Sequence, residues 1–465
     1  MSAGTPREEA AVIALVSGAH GFSHYYIFGL PTILAFMVKD PSLAHLELNF
    51  VKAGLVVSAF SLSSGAFQFL VGVPADRIGA KPVLFGGLTL LAGSFALLGF
   101  ADTFPLMLLL AFTAGMGNSV FHPVDYAIIG ANISTPRLAR AFSIHTFSGY
   151  LGFAVGPFVS GVLAGSFGWQ VAFVAAGLAG LTMTALLWSQ RRRMAGEKPA
   201  AQPHGAVQTM GLGIVLAPPI LMMFLFYMLS GGLSIGLNSA VASSLHKLWS
   251  FDLAAAAWAV SAFMAGGAAG TLVGGGVAMR LKRLDLVAFG GYGVAALMLC
   301  LIASVRLPYA AVLLAFAFAG FAFAIITPSR DLMVRSLTPP GHSGKVFGFV
   351  SSGFEGGGIL FAPAFGWLID HNAPAWVFYA AAVIMALAFC AALLATRLAR
   401  RRPTLQPAAA EQHLLRGPTR LPPRPAAPET PRAPSPPRSR AHPSRRCSRR
   451  VRPGARPRRR NVRGR

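Results

Sequence analysis

Ionisable side chains inside long apolar stretches are costly to keep, so those that survive mark where chemistry could occur. His20 and His24 stand at i, i+4, on one face of a helix. Two imidazoles so spaced could bind a metal, contact a substrate or proton, or hydrogen-bond within the packing. A third and fourth ligand cannot be picked out from the chain, so no metal is assigned. His122 and Asp125 stand at i, i+3, where a carboxylate can hold an imidazole tautomer or share its proton. Pro123 between them removes a backbone hydrogen bond and can kink the helix, freeing carbonyls. Glu355 sits among small residues in Ser351-Ser352-Gly353-Phe354-Glu355-Gly356-Gly357-Gly358. Counted from Lys345 it lies about 15 Å deep. A carboxyl at that depth could load and release a proton, and the plain alternative is a neutral acid bonded to a neighbouring helix. Proton coupling is therefore assigned to Glu355, Asp125 and His122. Substrate contact is assigned to His20, His24, Asn238 and Arg330. Arg330 and Asp331 close an apolar stretch and read as a gate or a snorkelling pair, and His145 reads as an interfacial hydrogen-bonding residue.

The elements that carry these residues follow from composition. Of 465 residues, 54% are hydrophobic and 12% charged, and the mean hydropathy is +0.58. That is a polytopic membrane protein. About 20 apolar residues cross a bilayer as a helix, and twelve stretches qualify: 10–38, 51–74, 82–101, 105–131, 141–166, 169–189, 214–240, 252–279, 286–305, 308–329, 346–369 and 374–396. The first is too long for the apolar core of a signal peptide and reads as a span. Arg77, Lys81, Arg137, Arg140, Arg191, Arg280, Arg335, Lys345 and Arg397 fall on one side, against Lys39, Lys52, Lys247 and Arg306 on the other. The positive-inside rule then makes both termini cytoplasmic. Cys300, Cys390 and Cys447 are far apart and form neither a metal site nor a disulfide framework.

The polar stretch 190–213 divides the chain into six spans in 1–189 and six in 214–396, and the remainder, 397–465, is an Arg/Pro-rich tail. From residue 403 onward the tail carries +15 of the net +25, with 17 Arg and the acids Glu411 and Glu429. Low complexity keeps it from burying a core, so disorder is expected there, and no nucleic-acid partner is assigned. A shift of 205 residues lays Pro123 on Pro328, Arg140 on Lys345, Gly152 on Gly357 and Gly161 on Gly366, an internal repeat of the two halves. The same comparison makes Arg330 the repeat mate of Asp125.

Residues 72–81 read Gly-Val-Pro-Ala-Asp-Arg-Ile-Gly-Ala-Lys, a charged turn between two apolar segments. Gly72 and Gly79 allow close approach and chain reversal, and Asp76, Arg77 and Lys81 must lie in water. Gly-x-x-x-Asp-Arg-x-Gly-x-Lys resembles the loop between helices 2 and 3 of the major facilitator superfamily, with Ala80 where a basic residue is usual. The second copy, 276–285, keeps its basic residues but lacks the Asp-Arg pair. The first copy therefore reads as a one-sided conformational latch formed by Gly72, Asp76, Arg77, Gly79 and Lys81. Gly117, Ser119, Val120, Phe121, His122 and Pro123 resemble the helix-4 signature of the fosmidomycin-resistance branch, whose members are proton-driven efflux pumps. Gly152, Gly156, Pro157 and Gly161 resemble the Gly-Pro motif of antiporters in helix 5, with Ser160 replacing a glycine. Close contact and a bend follow, with Gly156 and Pro157 as the hinge.

The resemblance implies an all-α fold of twelve transmembrane helices in two six-helix repeats, with the substrate path between them. The expected activity is proton-coupled efflux of a small amphiphilic compound across the bacterial cytoplasmic membrane by alternating access. Proton symport of a metabolite such as an organic anion is the second reading, and a receptor that binds without translocating is the third. The small-molecule substrate, protons and the lipid bilayer are the expected partners, and no cofactor is expected. Nucleophile-base spacings, phosphate loops and nucleotide motifs are missing from the sequence, so an enzyme is not expected.

Overall fold

A computed structural model describes residues 5–68, 70–194, 216–280, 284–327, 333 and 343–400. Among them the chain is helical, with no strand. Helix α1 (Pro6–Met37) starts on a capping box, in which the Thr5 hydroxyl accepts from the Glu8 amide and the Glu8 carboxylate accepts from the Thr5 amide. Then come α2 (Phe50–Gln68), α3 (Gly72–Ile78), α4 (Ala80–Leu98), α5 (Phe104–Asn118), α6 (Phe121–Asn132), α7 (Thr135–Phe167) and α8 (Trp169–Ser189). The second group comprises α9 (Pro218–Gly231), α10 (Leu237–Trp249), α11 (Leu253–Arg280), α12 (Leu284–Ser304), α13 (Tyr309–Ala324), α14 (Ser343–Asp370) and α15 (Pro374–Arg400).

Nine helices among the described residues are long and apolar enough to cross a membrane. Large apolar side chains face outward, with Leu272 70% and Leu314 71% exposed, which a bilayer solvates and water does not. Together these features describe a multi-pass membrane protein.

Three expectations need correction. The stretch 72–81 is not a simple turn, because residues 72–78 form the short helix α3 and only Gly79, at φ 93°, reverses the chain. Pro74 is tolerated there because the first turn of a helix has no partner for its amides. The stretch 105–131 is two helices, and its break falls at Ser119-Val120, ahead of Pro123, which joins the first turn of α6. The stretch 214–240 extends to Trp249, and it bulges through a π-helical turn, Gly232–Gly236, between α9 and α10. Ser243 and Ser244, in the added length, are both fully buried.

Helices α1–α8 pack mainly on one another, as do α9–α15, and the two groups meet along two main seams, α2 with α14 and α7 with α11. Repeat-related glycines occupy matching places. A Cβ on Gly161 of α7 would meet Ala257 of α11 at 3.0 Å, and one on its mate Gly366 of α14 would collide with the Phe50 carbonyl of α2. Gly152 likewise sits against the Gly21 carbonyl of α1, and its mate Gly357 against the Met228 carbonyl of α9. Each repeat therefore uses one glycine for its own group and one for the opposite group, which brings backbones into the close contact that membrane helices favour.

Candidate functional site

Three helices of the first group converge on a cluster of imidazoles and one carboxylate. His20 comes from α1, Asp125 from α6 and His145 from α7; all three are buried, Asp125 completely. His20 Nδ1 lies 3.3 Å and His145 Nε2 3.6 Å from Asp125 Oδ2. Neither approach has hydrogen-bond geometry, and both Asp125 oxygens, His20 Nδ1 and both His145 nitrogens have no hydrogen-bond partner. The rings of His20 and His145 stack at 3.9 Å between centroids. His24 and His122 flank them, with their centroids 4.3 and 5.2 Å from that of His20. His24 is half-buried and His122 exposed, so the cluster has a buried floor and an open side. Gly149 of α7 makes the room, since a Cβ there would stand 2.8 Å from His24 Cε1 and 3.0 Å from His20 Nε2.

The sequence pattern paired Asp125 with His122, whereas the carboxylate faces His20 and His145 instead. The break before α6 decides this. Asn118 at the end of α5 accepts from the Ser23 hydroxyl of α1 and donates to Ser64 of α2, anchoring the break where Asp125 turns inward. His145, read from sequence as an interfacial residue, belongs to the cluster because α7 begins at Thr135, earlier than the apolar stretch implied. Neither Asn118 nor His145 could be placed from composition, although both lie one or two turns from residues already singled out.

Glu355 lies apart from this cluster, on the α2/α14 seam. Its side chain lies beside Ser61 of α2, and its Cβ lies 3.0 Å from where a Cβ on Gly65 would sit. Farther along the seam the Ser58 hydroxyl donates to the Ile359 carbonyl at 2.7 Å. At the far end Asp370 closes α14 by accepting from the Phe50 and Val51 amides at 3.1 and 2.9 Å, capping the start of α2 across the seam. Lys247 adds a 2.7 Å bond to the Ile369 carbonyl and lies over the Phe50 ring. A cavity of about 20 Å³ lies beside Pro31, Phe50, Gly54, Ala240, Ala362 and Gly366, room for about one water. Asp370 escaped the sequence reading because an acid ending an apolar segment usually just faces water.

The opposite end is different. Nothing lies within 4 Å of a Cβ on Gly72, so the close approach expected there is not made. Arg77 is exposed, Lys81 bonds the Met194 carbonyl within its own group, and the Asp76 side chain lies outside the described residues. Asn238 is buried just after the π-helical turn; its amide donates to the Ser234 carbonyl at 2.6 Å and its Oδ1 has no partner. Gly156 and Pro157 lie inside the continuous helix α7, with Gly156 against the Tyr25 carbonyl of α1. Arg330, Asp331, the linker from 195 to 215 and the tail from 401 lie outside the described residues.

A family profile described as Major Facilitator Superfamily matches residues 16–239 and 220–445. The fosmidomycin resistance protein of Escherichia coli (strain K12) is 29% identical over 343 residues, covering 70% of this chain and 79% of its own. The hexuronate transporter of Bacillus subtilis (strain 168) is 31% identical over 146 residues, covering 31% of this chain and 34% of its own. Among solved structures, a bacterial homologue of the human lysosomal transporter Spinster, in an inward-facing and occupied conformation, superposes with a TM-score of 0.69 at 16% identity. That superposition covers 85% of this chain and 98% of the homologue, and shows likeness of fold.

Proposed function

This chain belongs to the major facilitator superfamily, and from that premise we propose that it is a twelve-span secondary transporter of the bacterial cytoplasmic membrane that exports a small amphiphilic compound in exchange for protons. The resistance protein that matches most of the chain favours export over uptake. Glu355 is the observation that carries the proton step. It is an acid on a helix seam that has to loosen and re-form as the two groups rock, so its contact with Ser61 and its access to water change with the conformation. With the basic end of α3 taken as cytoplasmic, the Asp370 end is the outer gate, held shut, and residues 72–81 form the inner latch, where a Cβ on Gly72 would meet nothing. His24 and Asn238 contact the cargo, one from each group.

A growth screen of deletion and overexpression strains against a compound panel identifies the cargo. Transport of that compound is then followed in proteoliposomes under an imposed proton gradient. Movement of the cargo against the proton flow is the expected result; movement with it would replace export by symport, and indifference to the gradient would remove proton coupling.

A further inference from the structure

We propose that His20, Asp125 and His145 form a binding site for one divalent transition-metal ion of the zinc class, set between α1, α6 and α7.

The ligand atoms are close enough together to share such an ion once the stacked His20 and His145 rings turn their lone pairs toward a common point. One ring nitrogen each from His20 and His145 and one Asp125 oxygen all lie within 4.8 Å of one another. Tetrahedral zinc with bonds of about 2.0 Å places its ligand atoms about 3.3 Å apart. Two edges of the triangle, at 3.3 and 3.6 Å, are already at that spacing. Hydrogen bonding does not explain the convergence, because these same atoms have no hydrogen-bond partner. Buried polar atoms are ordinarily satisfied, and a carboxylate with no exposure and no donor is among the most costly groups to leave alone. A divalent ion would satisfy the carboxylate and two imidazoles at once.

The donor set selects the ion. Two imidazoles and one carboxylate suit zinc, cobalt, nickel and copper, while magnesium and calcium favour all-oxygen shells. Three protein ligands leave a fourth position open to a water, to His122 or to a cargo group. Access comes from the side where His122 is exposed and His24 half-buried. All three ligands belong to the first helical group, so the ion would travel with that group and need not be released when the seams move. The site also stands apart from Glu355, so metal binding and the proton step can fail independently.

The test uses the full-length protein, freed of any affinity tag and stripped with a chelator in detergent. Co²⁺ alone is titrated in. The expected result is one equivalent per chain with the intense visible absorption of a four-coordinate ion, displaced by Zn²⁺. Asp125→Asn and His145→Ala are each expected to weaken binding at least about 100-fold, while His45→Ala, on the loop after α1, leaves it unchanged. No uptake by the parent protein, or equal uptake by both cluster variants, would overturn the site. If the variants do not stay monodisperse, X-ray absorption on the zinc-loaded parent decides. A nitrogen/oxygen shell with imidazole scattering supports the site, and a shell without imidazole overturns it.

Discussion

Replacing Asp370 by Asn tests whether the α2/α14 seam is a gate. The carboxylate places one oxygen on each of the Phe50 and Val51 amides, so it bridges the two helical groups and faces the positive end of α2. Hydrogen bonds to a charged group contribute about 1.5–3 kcal/mol when sheltered. Asp370 is only partly buried, and Asn retains one acceptor, so a net loss of about 1.5 kcal/mol is reasonable for the pair. When the seam opens, water takes over these amides, so the loss falls on the closed state alone. About 1.4 kcal/mol is tenfold in an equilibrium constant. Asp370→Asn should thus raise the open-to-closed ratio at this end roughly tenfold. Spin labels on Ala44→Cys and Arg306→Cys, both exposed and on opposite groups, would read the change as a longer-distance population in pulsed electron resonance, with Cys300, Cys390 and Cys447 replaced. An unchanged distance distribution in a folded variant would refute the capping argument and leave closure to the glycine contacts and the Ser58 bond to Ile359.

Glu355→Gln should abolish proton-driven transport while preserving cargo exchange without a gradient; active transport at the parent rate would remove Glu355 from the proton step. Gly149→Ala drives a methyl into the His20 and His24 rings and should destabilise the protein by about 1–3 kcal/mol, read as a lowered melting temperature in detergent. Asp40, on the loop after α1, accepts from the Ser42 amide and the Trp169 indole, and the Ser42 bonds, with help from Trp169, hold its carboxyl below the ordinary value of 3.8. Its contribution to stability is therefore complete above that value and lost as pH falls through the lowered folded value, so melting curves of the parent and Asp40→Asn should converge under acid. Deleting residues 403–465 should leave transport intact, and a well-inserted but inactive truncation would show that the tail matters.

The periodic, local features of this protein are legible in its sequence. Apolar length marks the helices, Gly79 marks a reversal, and the glycines at 152, 161, 357 and 366 already announce themselves as repeat mates. Lone polar residues in apolar segments also identify Asp125, His20 and Glu355 as unusual, because the cost of burying them is a property of the residue and its immediate neighbours. What the sequence could not supply is partnership. Asp125 lies three residues from His122 yet faces His20 and His145, since the break at Ser119-Val120 and its Asn118 anchor set the direction of α6. Asp370 finds the Phe50 and Val51 amides some 320 residues earlier in the chain. Span and depth depend on spacing along one helix. Ligand sets and gates depend on how separate helices cross, which close contacts between backbones distant in sequence decide.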